Sequence, residues 1–198
     1  GSLPRRVDRG DLVQIGQHGV DGRLHLIGSF LRLADLGGER LEALAREAVG
    51  HFARVATVAP QSAVRANAQY DAAAALIGLK DWDGATRTLE DFRQRYPNHA
   101  LQDDVSAKLA VAYLERQQWA QAAGEFDRLA TTSKDPKGAR DALWQTAELY
   151  EKAGTRGPAA KTYERYLKQY PQPLEPAIEA RYRLAGIAKA DGNTKLEA

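Results

Sequence analysis

The stretch Trp82–Pro97 recurs along the chain, and its recurrence fixes what the chain can fold into. Trp82, Ala85, Leu89 and Phe92 fall three or four residues apart and share one face of a helix that stops before Pro97. Ala48, Phe52, Val55 and Pro60 hold matching places 37 residues earlier, and Trp119, Ala122, Phe126 and Leu129 do so 37 residues later. Ala159, Tyr163, Tyr166 and Pro171 follow at 74. Pro60, Pro97 and Pro171 keep this register without a gap. A period of this size, carried by an amphipathic helix and its stop signal, predicts a stacked repeat in which each helix pair buries its apolar face on its neighbours.

Taken in order, residues 1–22 read as an irregular N-terminal segment. The spacing Gly16-x-x-Gly19-x-x-Gly22 matches neither glycine pattern that cradles phosphate, so it reads as a loop. Residues 23–198 read as one helical-repeat domain, with repeats at 23–60, 62–97, 100–134, 136–171 and a shortened 176–198. In the first, Leu24, Ile27, Leu31 and Ala34 share a face that Gly37-Gly38 closes; Glu39–Val58 follows with Leu41, Leu44, Ala48, Phe52 and Val55 inward. Ser62 and Asp135 are N-cap candidates, the latter strengthened by Pro136 at the first helical position. The fifth repeat is expected to open after Pro173 and Pro176 and to turn at Asp191-Gly192-Asn193. Gly1-Ser2 and the complete lack of methionine read as a piece excised from a longer protein, which makes the lack of a leader uninformative.

The pattern Ala147-x-x-Tyr150 followed by Ala159-x-x-x-Tyr163-x-x-Tyr166-x-x-x-x-Pro171 resembles the tetratricopeptide repeat, and residues 62–198 fit it. Ala73, Ala110, Ala147 and Ala185 fall where the paired helices of that family approach closely, and Trp82 and Trp119 where it carries an aromatic. The family unit is shorter, so the extra length is assigned to the loop between repeats. The endings Phe92-Arg-Gln-Arg-Tyr-Pro97 and Tyr166-Leu-Lys-Gln-Tyr-Pro171 resemble a bacterial cell-envelope subset, the Tol-Pal-associated and outer-membrane-assembly type. The resemblance implies an all-α, right-handed α-α superhelix of about four and a half helix pairs. It also implies a non-catalytic protein-interaction module within a larger envelope protein, periplasmic or at the cell envelope, with the cytoplasm as the alternative. Richness in Ala and Arg points the same way, to a GC-rich bacterial source.

In such arrays the first helix of each pair lines a concave surface that holds peptide. Residues off the inter-helix seam are then the candidate partner-binding set: Asn67, Tyr70 and Ala74 in the second repeat, and Asp104, Lys108 and Val111 in the third. Asp141, Trp144, Gln145 and Glu148 follow in the fourth, and Glu179, Tyr182 and Arg183 in the fifth. Tyr70, Trp144 and Tyr182 occupy corresponding places, which predicts a line of aromatic anchors, residues that give large contact area at low entropy cost. The alternative is that each only pads its own helix packing. Some tetratricopeptide domains clamp a C-terminal carboxylate with Lys and Asn. Here those places hold Tyr70 and Ala74, then Ala107 and Val111, so that clamp is missing. Trp82 and Trp119, one period apart, read as core residues whose truncation costs a few kcal/mol.

Composition closes off other classes. Net charge is +2 with both signs interspersed, which asks for neither a nucleic-acid backbone nor an anionic membrane, and no apolar run approaches membrane-span length. There is no cysteine, and His18, His25, His51 and His99 share no metal-ligand spacing. Asp103-Asp104 and Asp81-x-Asp83 sit at helix starts, where carboxylates are favoured by capping and the helix dipole. Ser29, Ser62, Ser106 and Ser133 lack a nucleophile-elbow context. The sequence therefore predicts no catalytic, cofactor or metal site. Its expected partner is a protein or peptide, with homo-oligomerisation possible. The competing reading is an architectural spacer or oligomerisation segment whose functional site lies elsewhere in the full-length protein.

Overall fold

The computed structural model describes residues 38–58, 64–190 and 192, and every regular element among them is an α-helix. In chain order these are α1 (Gly38–Val58), α2 (Val64–Gly78), α3 (Trp82–Arg95), α4 (Gln102–Glu115), α5 (Trp119–Thr132), α6 (Pro136–Lys152), α7 (Arg156–Gln169) and α8 (Leu174–Ala190). The all-α repeat expected from the register is what forms. The described residues gather into two compact units, one ending at Arg116 and holding α1–α4, the other beginning at Gln117 and holding α5–α8. In the first, α2 packs against α1 and α3, and α3 against α4; in the second, α6 packs against α5 and α7, and α7 against α8.

The start and stop signals act as their chemistry dictates. Asp135 accepts from the backbone N–H groups of Lys137 (3.1 Å) and Gly138 (2.9 Å), with Pro136 as the first helical residue. Asp81 caps α3 by accepting from Gly84 N at 2.9 Å, and a Cβ on Gly84 would meet Asp81 Oδ2 at 2.5 Å. The glycine is what lets that cap close. α3 and α7 end at Arg95 and Gln169, just ahead of Pro97 and Pro171. The turns inside helix pairs repeat in register too: Lys80 (φ 58°), Gln117 (φ 56°) and Gly154 (φ 71°) each hold a left-handed backbone 37 residues apart.

Ala73, Ala110 and Ala147 are all 0% exposed, as close approach of paired helices requires, and Ala85, Ala122 and Ala159 match them on the second helices. Ala185 does not follow; it is exposed on α8. Pro176 also departs from expectation, since α8 begins at Leu174 and takes the proline into its first turn, where no intrahelical partner is needed for its missing N–H. The helix expected over Leu24–Ala34, the glycine loop at 16–22, the Ser62 cap, the Pro60 stop and Asn193 lie outside the described residues, as do the side chains of Leu41 and Leu44.

Candidate functional site

In the first unit the first helices α2 and α4 bring together part of the expected set. Tyr70, mid-way along α2, sets its ring edge-on to Phe92 with centroids 6.3 Å apart. Lys108 of α4 carries its Nζ 5.3 Å from the centre of the same ring, within cation–π range. Asp104 lies one turn before Lys108 on α4. Burial pushes the Lys108 ammonium below its ordinary pKa, against the pull of Asp104 and Asp71. Burial likewise raises Asp104, opposed by Lys108, and drives the Tyr70 phenol far above its usual range, with Asp104 and Asp71 adding to the shift. Such shifts arise where charged groups are half-withdrawn from water beside one another. Asn67, one turn from Tyr70, is half-buried, and its Oδ1 has no hydrogen-bond partner among the described residues. Ala74 and Val111 are half-buried at the following turns of α2 and α4. The patch is a flat aromatic face with one lysine over it, small apolar neighbours and an unmet acceptor.

In the second unit the corresponding helices are arranged differently, and the expectation for Trp144 fails. Its indole is 4% exposed and packs edge-on against Tyr163 and Tyr166, at 5.6 and 5.1 Å between centroids. With Leu143, Ala147, Ala159 and Ala180 it forms the unit's core. At its place in mid-α6 the indole faces α7, whose two tyrosines cover it. Tyr182, its counterpart on α8, is 73% exposed. Tyr70, Trp144 and Tyr182 are thus half-buried, buried and exposed, not a line of equivalent anchors. Arg183 is tied to Glu179 Oε1 (2.7 Å) on its own helix and to Glu151 Oε2 (3.3 Å) on α6, while Tyr163 donates to that same carboxylate oxygen at 2.6 Å. Gln145 donates to Glu148 Oε2 at 3.4 Å. Glu151, which the spacing argument missed because it points toward a seam, joins Glu179 in fixing Arg183 and is itself held by Tyr163. Asp141, near the start of α6, pairs with Arg140.

Trp82 and Trp119 also differ from expectation. Each is half-buried at the first position of its helix. Lys152 caps the open face of Trp119, its Nζ 3.5 Å from the ring centre. Among the described residues no group of acidic, histidine or cysteine side chains is arranged to hold a metal, and no helix is long and apolar enough to cross a membrane.

Comparison with known proteins follows this geometry. The family model for the tetratricopeptide repeat matches residues 67–99 and 141–173, two segments that start 74 residues, two periods, apart. No curated protein matches the chain. Among solved structures, MamA 41-end from Desulfovibrio magneticus RS-1 is similar, with a TM-score of 0.46, 15% identity, and coverage of 95% of this chain and 90% of that one. MamA AMB-1 is similar with a TM-score of 0.46 and 13% identity, covering 79% of this chain and 86% of its own. Residues 67–99 and 141–173 are therefore helix pairs similar to tetratricopeptide repeats, set in an all-α repeat fold.

Proposed function

We propose that this chain is a non-catalytic protein-interaction module that holds a peptide segment of its partner on the face shared by α2 and α4. One observation carries the reading: Lys108 lies over the Tyr70 ring on the first helices of neighbouring pairs, and Asn67, one turn from Tyr70, has an acceptor with no partner among the described residues. A backbone N–H supplied by an extended segment would satisfy Asn67 Oδ1, and an apolar side chain would rest on Ala74 and Val111. Both helices hold their side chains before binding, which keeps the ordering cost low. A photo-crosslinking residue at Ala74 should trap the partner in cells, and Tyr70→Ala with Lys108→Ala should abolish the adduct. Equal trapping from exposed Arg128 on α5, or an adduct indifferent to the double substitution, would sink the proposal. The cell-envelope placement rests on the two Tyr-Pro helix endings; fractionation of the full-length protein tests it.

A second reading, self-association, is supported by Leu174, Ile178 and Tyr182. They sit one turn apart on α8 and are 55%, 53% and 73% exposed. On that reading Ile178→Asp lowers the mass seen by light scattering at high concentration, and an unchanged mass removes it.

A further inference from the structure

The first unit also carries a cleft that the α2–α4 face does not include. It has a volume of about 350 Å³ and opens between α1 and α3, with α2 as its floor. Val49 and Phe52 of α1 and Ala72 and Leu76 of α2 supply apolar surface. Among the described residues its lining includes Arg65, Arg87 and Arg95 and one acid, Asp91. On α2 the lining positions 65, 69, 72 and 76 lie on the side of the helix away from Asn67, Tyr70 and Ala74, since each residue turns the helix by about 100°.

The register explains why the cleft is open. Tyr113 and Tyr150 stand one and two periods after Leu76. Tyr113 donates to Glu90 of the preceding α3 at 2.5 Å, and Tyr150 lies beside Asp127 of α5 and Arg165 of α7. Arg165 and Asp127 are themselves ion-paired across the top of α6. In the first of the three places Leu76 has no hydroxyl to give, and the position matching Arg165 is Asp91. Asp91 turns sideways instead, accepting from Gln69 (2.8 Å) and Arg95 (2.7 Å), while Gln69 also donates to Thr88 O at 3.0 Å. The α2 and α3 walls are thereby locked together. Arg87 is exposed and makes no ion pair among the described residues.

We infer that this cleft docks an acidic amphipathic helix of a partner protein, with apolar side chains seated on Phe52 and Leu76 and carboxylates against the arginine rim. Charge selects the partner: among the described residues the guanidinium groups of the rim outnumber its one carboxylate, Asp91, which Arg95 and Gln69 already engage, while Arg87 stands exposed. Spacing selects its form. Arg87 and Arg95 lie eight residues apart on α3, about 12 Å along the axis, so they do not converge on one small anion. They fit carboxylates two turns apart on a helix lying between two helices, with apolar residues at the intervening turn.

The probe is a fluorescein-labelled, 18-residue helical peptide with leucines one turn apart, flanked by glutamates two turns apart, titrated into the whole chain by anisotropy. Control peptides replace the glutamates by lysine or the leucines by serine. Saturable binding is expected for the glutamate–leucine peptide, weakened about tenfold or more by Arg87→Glu on the exposed rim. Leu76→Tyr, which restores the residue found at the two sealed places, should weaken it likewise, and Tyr70→Ala should leave it unchanged. Circular dichroism confirms that each variant is folded. No binding, equal binding of the lysine or serine peptides, displacement by millimolar inorganic phosphate, or indifference to Arg87→Glu would each overturn the assignment. The Tyr70 arm keeps its fate separate from that of the α2–α4 face.

Discussion

The two units carry one register and use it to opposite ends. In α5–α8 the seams are sealed: Trp144 is sunk between Tyr163 and Tyr166, Arg183 is held by two carboxylates, and Arg165 reaches Asp127 across α6. In α1–α4 the same places stay partly open. Tyr70 stands where Trp144 does but remains half-buried under Lys108, and Leu76 stands where Tyr150 does and leaves a cleft. A repeat fixes the backbone through its small residues and stop signals. A handful of side chains at equivalent places then decides whether a seam becomes core or surface.

The largest expected effect tests the sealed side. Trp144→Ala should lower unfolding free energy by about 3–5 kcal/mol in urea, since a buried aromatic loses both transfer energy and packing. Phe52→Ala, at the half-covered cleft, should cost about half as much. Similar losses at the two sites would erase the contrast.

Next comes Tyr163, whose bond to Glu151 goes to a charged acceptor. Tyr163→Phe should cost about 1.5–3 kcal/mol at neutral pH. Burial first, and then that bond, raise the folded phenol well above its ordinary value near 10. A raised folded pKa means the contribution is full below the unfolded value and is lost as pH climbs above it. The urea midpoint should therefore fall above about pH 10, and less steeply in Tyr163→Phe. An identical alkaline slope in both proteins would contradict the assignment.

Arg165→Ala should cost only about 1 kcal/mol, because both partners are more than a third exposed and water screens the pair. The smallest effect concerns the turns. Lys80 holds the left-handed conformation that Gly154 holds without strain, so Lys80→Gly should stabilise by about 0.5–1 kcal/mol, with a raised Tm as the readout.

Much of this fold could be read in advance, for physical reasons. Alanines at close approaches, Asp135-Pro136 as a start and Tyr-Pro as a stop act locally, so their spacing alone places helices. Burial at a given turn is not local. Trp144 and Tyr70 share a register position, and what separates them is the neighbour: Tyr163 and Tyr166 on one side, Phe92 and Lys108 on the other. Trp82 and Trp119 were expected in the core because they recur, but recurrence at a first helical position puts an aromatic at the end of a pair, not inside it. The cleft was visible only as an exception, a leucine at 76 where 113 and 150 are tyrosine, and its meaning needed the Tyr113–Glu90 bond to be seen.

The most direct test of this open-against-sealed account uses the lack of native cysteine. Thr88 lines the cleft and is half-buried, whereas Thr162, two periods later, is 8% exposed; both bond the carbonyl four residues back, at 2.8 and 2.9 Å. Thr88→Cys and Thr162→Cys therefore lose the same local bond and differ only in what covers them. Under native conditions the thiol at 88 should react with a disulfide reagent about ten times faster or more, because the one at 162 must wait for local opening. Equal rates at the two positions would contradict the account.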